Sequence, residues 1–322
     1  VTELVVADIG GTHCRFAIAT QGREGRIALT HAAKLKVAEH ASLQSAFETY
    51  RAGLGRPVPD HAAIAVAAPV DGELLKLTNN PWVIRPAHVA ERLGLEGALL
   101  VNDFAAVAHA VAVLGPDGFA HVAGPEAAPG GENVISVIGP GTGLGVAVMV
   151  RGNPPRVIPT EGGHIDFAPL DSLEDKMLQQ LRDRFRRVSV ERVVAGPGLA
   201  NILAALAAIE GRAVPHRDDS ELWRAALEEK DALAEAAFDR WCLALGSVAG
   251  DLALAQGADA VVLAGGMLPR VQHLLGASGF HARFMAKGRF EARMATIPIR
   301  RVTHPEPGLM GAAAAWLARE AA

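Results

Sequence analysis

Apolar residues in this chain fall into short dense runs, and several of those runs end on glycine. Residues 4–9, a Gly10-Gly11-Thr12 turn and residues 13–19 read as two strands of a hairpin. The plan returns at residues 134–138, Gly139-Pro140-Gly141-Thr142-Gly143-Leu144-Gly145 and residues 146–150. A third apolar run, residues 261–263, closes on Ala264-Gly265-Gly266, and residues 61–67 form a buried strand ended by Pro69 and Asp71-Gly72. Residues 74–78 make a return strand, and residues 99–101 a strand that runs into Asn102-Asp103-Phe104 and an apolar helix over 105–114.

Helical spacing predicts further helices over 42–54, 86–93 (Pro86 in the first turn), 172–185, 198–209, 220–229 and 231–255. Ser172 with Asp175 is the expected start of the 172–185 helix. An Ala-rich helix over 307–319 is entered through Pro307-Gly308. Residues 116–132, rich in Gly, Pro and Ala, read as a boundary or excursion between domains. Strands and helices alternate, so the class is α/β. The repeated strand, glycine turn and strand suggest two related halves facing one cleft.

Composition narrows the function classes. The 322 residues suit two domains or one large one, and 50% apolar with 20% charged residues is a globular balance. A net charge of −4 argues against a nucleic-acid surface. Arg182, Arg184, Arg186 and Arg187 read as a solvated helix face. Two cysteines, Cys14 and Cys242, build neither a disulfide framework nor a four-thiolate zinc site. No apolar stretch is long enough for a bilayer, and no basic-then-apolar leader precedes the first strand. The expectation is a reduced cytoplasmic protein without nucleic-acid or membrane partners.

Gly-Gly is a common hairpin turn, yet glycines also let backbone N–H groups approach a phosphate closely. Thr12 and Thr142 add hydroxyls, and Asp8 is a carboxylate able to hold Mg²⁺ or its water shell. There is no Gly-Lys-Ser/Thr, which excludes a Walker loop, and residues 139–145 miss the last position of the dinucleotide fingerprint. Asn102-Asp103 at a strand's C-terminal end is either a helix N-cap or a catalytic pair. Thr160-Glu161-Gly162-Gly163-His164-Ile165-Asp166 is either an exposed polar turn or a set of hydrogen-bonding groups for several hydroxyls. Glu191, acidic within an apolar stretch, fits an exposed position or the same polar site. Asn79 and Trp82 make a polar-and-aromatic wall, or a Pro turn with Trp82 as core anchor.

Asp8-Ile9-Gly10-Gly11-Thr12, Asn102-Asp103-Phe104, residues 139–145, Glu161-Gly162-Gly163-His164, Glu191-Arg192 and Ala264-Gly265-Gly266 follow one another in one order. In that order they resemble the bacterial glucokinase family of the actin-like ATPase superfamily, which also holds hexokinase. The resemblance covers about residues 4–317. Its most specific parts are residues 160–169, residues 191–201, and Ala277-Ser278-Gly279-Phe280 followed by Lys287-Gly288-Arg289-Phe290.

The resemblance implies an α/β, two-domain actin-like ATPase (ribonuclease H-like) fold, with a cleft between a small and a large domain. The small domain is expected at 1–112 plus 303–322 and the large one at 113–302. It implies transfer of the γ-phosphoryl of MgATP to the 6-hydroxyl of glucose, with Asp103 as general base and domain closure excluding water. Asn79, Asn102, Glu161, His164 and Glu191 are then the sugar-binding candidates. Ala7, Asp8, Ile9, Gly10, Gly11 and Thr12 resemble one phosphate loop and Gly141, Thr142 and Gly143 the other. Gly265 and Gly266 resemble part of the adenosine site, Asp8 is the metal candidate, and a homodimer is expected. Two departures stand out: His13 replaces the family's usual Asn, and Pro140 replaces a small residue. The rival readings are a kinase for another hexose or an N-acylated amino sugar, and a non-catalytic sugar-sensing protein. The kinases of that rival group carry a cysteine-rich zinc motif, and the sensors a helix-turn-helix before the first hairpin; neither is found here.

Overall fold

The computed structural model describes all residues except 1, 23–25, 78–79, 128–129, 215–217, 230 and 322. The chain divides into two compact units: Val1–Gly118, Met149–Pro159 and Thr303–Ala322 in one, Phe119–Val148 and Thr160–Val302 in the other.

The first unit is built on strands β1 (Thr2–Ile9), β2 (His13–Gln21), β3 (Ile27–Lys36), β4 (His61–Val66) and β7 (Gly97–Asn102), ordered β3-β2-β1-β4-β7. A separate two-stranded sheet pairs β5 (Leu75–Lys76) with β6 (Val83–Ile84). Short links make β1, β2 and β3 antiparallel, whereas longer crossovers leave β1, β4 and β7 parallel. Strand alternation sends Val5, Ala7 and Ile9 to one face, in a core with Phe47 and Tyr50 of helix Leu43–Gly53. Leu4 and Val6 face the other way, against Leu309, Ala313 and Trp316 of helix Pro307–Glu320. That helix comes so near helix Asp103–Val113 that a Cβ on Gly311 would overlap the Ala106 carbonyl.

The second sheet orders β11 (Arg156–Thr160), β10 (Leu144–Val150), β9 (Val134–Pro140), β12 (Ala260–Leu263), β13 (Ile299–Val302) and β8 (Phe119–Ala123). β9, β12 and β13 are parallel, and β8 is antiparallel to β13. Only three residues separate β9 from β10, too few for a parallel crossover, so the pair is a hairpin. Helix Ala232–Gln256 anchors the core through the fully buried Trp241, which meets Trp223 edge-on. Gly246 and Gly250 let it approach the backbone of helix Phe280–Met285, since a Cβ at either would collide with the Phe280 or Phe284 carbonyl.

Some local expectations change. Residues 116–132 include strand β8, which completes the second sheet. The helix Ser172–Phe185 is capped by Asp171, whose side chain accepts from the Leu173 and Glu174 N–H groups, and not by Ser172. Asp171 and the buried Glu174 also pair with Arg283. Arg187 is not merely solvated, because it binds Asp166 at 2.8 Å and the His164 carbonyl at 2.6 Å. Trp82 is a core anchor, 2% exposed. Among the described residues, no helix is long and apolar enough to cross a membrane.

Candidate active site

The first glycine turn lies at the C-terminal end of β1, closed by the Gly10 N–H donating to the His13 carbonyl at 3.0 Å. Ala7 and Ile9 bury their side chains completely, so they offer only backbone here. Gly10 and Gly11 are half-buried and Thr12 is exposed. Two further contacts fix the turn. The Val37 N–H donates to the Thr12 carbonyl at 3.0 Å, and Asn80 Nδ2 donates to the Gly10 carbonyl at 2.9 Å. Asn80 is 8% exposed, and its Oδ1 accepts the Trp82 N–H. Trp82 Nε1 in turn donates to the His40 carbonyl, which closes a hydrogen-bonded ring through residues 37–40. Sequence reasoning passed over Asn80, and its only local signal was an Asn beside a Pro turn. Asn79 lies outside the described residues.

Asp8 sits just before this turn. Its Oδ2 is 3.3 Å from Arg15 Nη1, and Arg15 Nε is 3.2 Å from Glu306 Oε2. Burial pushes the Asp8 carboxyl above its usual range; Arg15 opposes that shift and Glu306 adds to it. Helix Pro307–Glu320 begins against the same group, where a Cβ on Gly308 would lie 2.9 Å from Asp8 Cγ and Oδ2. Desolvation and the nearby Lys34, Arg15 and Lys36 lower the His13 pKa; Arg15 shares its strand and Lys36 faces it across the β2–β3 pair. His13 brings no added charge to the turn near neutral pH.

Registry carries the turn to the next candidates. Ile9 pairs with Val66 and Val66 with Asn102, so the first turn and Asn102-Asp103 lie at one edge of one sheet, two strands apart. Asn102 is the N-cap of helix Asp103–Val113, its Oδ1 accepting the Phe104 and Ala105 N–H groups and its Nδ2 donating to the Ala68 carbonyl. The capping alternative therefore holds for Asn102. Asp103 is the first helical residue, and its Oδ1 accepts the Phe104 N–H at 2.8 Å. A helix N-terminus favours the negative charge of such a carboxylate.

In the second unit, the other glycine turn gathers most of the remaining candidates. Its burial pattern over residues 141–150 repeats that of residues 11–20 position for position, with Thr142, like Thr12, exposed. Pro140 stands where Gly10 does and has no N–H to give. The closing bond therefore moves one residue on, from the Gly141 N–H to the Gly143 carbonyl at 2.8 Å. Gly196 donates to the Gly141 carbonyl at 2.7 Å. Gly265, at φ +125°, lies against Pro140, whose carbonyl oxygen a Cβ there would meet at 2.5 Å. Gly266 follows at the approach to helix Leu268–Leu275.

Glu191 opens the short helix Glu191–Val194 and is half-buried, not the exposed residue its surroundings in sequence also allowed. Its Oε2 accepts the Leu144 N–H at 2.9 Å. The loop after it is fixed by indole N–H groups, Trp241 to the Ala195 carbonyl and Trp223 to the Gly196 carbonyl. Gly162 and Gly163 press onto β10, where a Cβ on Gly163 would overlap the Leu144 carbonyl and one on Gly162 would meet Val146. This leaves Glu161 and His164 exposed on either side, with Glu161 Oε2 3.9 Å from His164 Nε2. Residues 165–167 are bonded to 188–190, which ties this segment to the one that bears Glu191. The second turn, Gly196, Glu191, the Gly162-Gly163 pair and Gly265 thus form one connected group. Exposed carboxylate and imidazole beside glycine-rich backbone suit a small polyhydroxyl ligand and phosphate oxygens.

No group of three or more His, Cys, Asp or Glu among the described residues could cage a metal ion. Mg²⁺ needs no such cage when phosphates and water fill most of its shell. A half-buried carboxylate that a cation would stabilise is a donor of the right kind, and Asp8 is one.

A family model described as Glucokinase matches residues 5–319. A glucokinase of Zymomonas mobilis is 57% identical over 315 residues, covering 98% of this chain and 97% of that protein. Glucokinases of Stenotrophomonas maltophilia are 40% identical, over 97% of this chain and 94% of theirs. Among solved structures, a glucokinase from an Antarctic psychrotroph superposes with a TM-score of 0.87 at 34% identity, covering 98% of both chains. The α/β architecture is that of the two-domain actin-like ATPase fold expected from the motifs.

Proposed function

The chain belongs to the glucokinase family, and we infer from this that it phosphorylates glucose on its 6-hydroxyl at the expense of ATP. The observation that carries the residue-level reading is the pair of matched glycine hairpins. Each has its threonine exposed, and each is bonded to a segment bearing polar candidates.

In the reaction we propose, the Asp103 carboxylate takes the proton of the sugar 6-hydroxyl. That oxygen forms its bond to the γ-phosphorus as the bond from phosphorus to the bridging β,γ-oxygen breaks, and ADP leaves. The Phe104 N–H, donating to Oδ1 at the start of helix Asp103–Val113, orients this carboxylate. A positioned base contributes about 10²–10⁴ in rate; orientation of the phosphoryl group supplies the rest. Asn102 has one side-chain N–H left for the sugar once its capping bonds are counted. Glu161, His164 and Glu191 take other hydroxyls, as Asn79 does by the same resemblance. Hydrogen bonds to charged groups are worth about 1.5–3 kcal/mol each, enough to separate sugar epimers.

The backbone of Gly10–Thr12 and Gly141–Gly143 receives the phosphates, and Gly265-Gly266 borders the adenosine. Asp8 would hold Mg²⁺ directly or through water; the ion, when bound, neutralises charge on the phosphates. We place the enzyme in the cytoplasm, as a homodimer built on a small domain of 1–112 plus 303–322 and a large domain of 113–302. The two free, buried cysteines suit a reducing compartment.

The test is turnover of ATP and Mg²⁺ against a panel of hexoses and N-acetylated amino sugars, with the phosphorylated position identified by NMR. Glucose 6-phosphate as the preferred product supports the reading. Preference for another sugar, or sugar binding without ADP release, refutes it.

A further inference from the structure

Glu191 and the second glycine hairpin are in closer contact than two separate binding elements require. One carboxylate oxygen, Oε2, accepts the Leu144 N–H at 2.9 Å. The Gly143 Cα lies directly against that carboxylate: a Cβ there would stand 2.5 Å from Oε2 and 3.3 Å from Cδ. Gly143 is not at a left-handed φ, so its backbone does not demand glycine; a Cβ there would instead push the end of the Glu191 side chain aside. The turn is also tied on its far side, because the Gly196 N–H donates to the Gly141 carbonyl and indoles hold the Ala195 and Gly196 carbonyls. The aim of the carboxylate therefore follows the shape of residues 143–144.

We propose that Gly143 and Leu144 are sugar-positioning residues. The nucleotide hairpin aims Glu191 at the sugar, and through that contact glucose and nucleotide each tighten the binding of the other. The proposal rests on the reading of Glu191 as a sugar ligand. Linkage makes the effect reciprocal: a sugar that holds Glu191 in place also holds the Leu144 N–H and the turn that precedes it. The Leu144 N–H is spent on Glu191, so phosphate oxygens are left to the turn's other N–H groups, and the two ligands do not compete for one donor.

Glucose affinity measured by calorimetry without any nucleotide tests this, because a purely nucleotide-binding hairpin has no influence there. Gly143→Ala is expected to weaken glucose about tenfold, the lower end of what a misdirected charged hydrogen bond costs. Glu191→Ala should weaken it at least as much, and adding Gly143→Ala to Glu191→Ala should then change nothing further. Glu191→Gln should recover part of the loss, since its amide oxygen still accepts the Leu144 N–H while its NH₂ meets the sugar. In the parent, a non-hydrolysable ATP analogue should tighten glucose, and this tightening should vanish in Gly143→Ala. An unchanged glucose affinity in Gly143→Ala, or full additivity in the double variant, overturns the proposal. An unchanged affinity in Glu191→Ala overturns instead the reading of Glu191 on which it stands. Should Gly143→Ala not fold, the comparison of Glu191→Gln with Glu191→Ala decides: equal losses, with the analogue still tightening glucose in both, refute the coupling.

Discussion

Gly308 is the position at which a single methyl group most directly tests the role of Asp8. An alanine Cβ would stand 2.9 Å from both Cγ and Oδ2 of Asp8 and 3.4 Å from its Cβ. Comfortable heavy-atom contacts lie at about 3.5–4.0 Å, so the carboxylate must retreat by about 0.5–1 Å. Nothing in the helix resists the substitution. Gly308 is the second residue of helix Pro307–Glu320, its φ is not left-handed, and alanine in a helix is up to about 1 kcal/mol better than glycine. The cost therefore falls on the site and not on the fold. Misplacement of a reacting-centre group by about 1 Å can remove on the order of 10² in rate. Gly308→Ala is accordingly expected to lower kcat by about 10- to 100-fold and to raise the Mg²⁺ concentration at half-maximal rate, while the melting temperature stays within a few degrees. A coupled ADP-release assay with a Mg²⁺ titration and a melting curve by circular dichroism measures all three. Parental kcat and Mg²⁺ dependence in a folded Gly308→Ala variant would refute the placement of Asp8 at the phosphates.

Asn80→Ala leaves the half-buried Gly10 carbonyl without its donor, a loss of about 0.5–1.5 kcal/mol, so the KM for ATP should rise by up to about tenfold. Asn80→Ser, able to donate, should recover part of this, and steady-state kinetics showing the same KM in all three proteins would contradict the clamp. Glu132 and Arg300, 8% and 6% exposed in their side chains, pair at 2.5 Å, and removing one partner of such a pair costs about 3–5 kcal/mol. Burial works to raise the Glu132 carboxyl, but the Gly130 N–H and Arg300 outweigh it and hold it below the usual range. A lowered folded-state value means stability present above the ordinary carboxylate pKa and lost as pH falls through the folded one. Denaturant midpoints should therefore show Glu132→Gln closing the gap to the parent only on acidification below about pH 4. A gap that does not narrow there would refute the assignment.

The hairpins were legible because a glycine turn between dense apolar strands is a local signal, and helix Asp103–Val113 because a cap precedes an apolar run. Edge strands were not. Ile27–Lys36 is mostly exposed or half-buried and includes two lysines and a histidine, so its pairing with β2 leaves no apolar pattern. Phe119–Ala123 is five residues inside a stretch rich in Gly and Pro. The cap moved from Ser172 to Asp171, which takes the Leu173 and Glu174 N–H groups on one oxygen and the guanidinium of Arg283, a partner distant in sequence, on the other. In the same way Glu191 looked like an exposed residue until Leu144, far away along the chain, supplied its donor. Chain order along one sequence conveyed the family; the contacts that orient its residues run through space and had no local mark.

The general-base role of Asp103 is tested most directly by a single-turnover experiment with Asp103→Asn. Asparagine keeps the shape and still accepts the Phe104 N–H, but it cannot take the sugar proton. The rate of phosphoryl transfer from bound ATP to bound glucose is predicted to fall by about 10²–10⁴, with both ligands still bound. Transfer at close to the parental rate in Asp103→Asn would contradict the account.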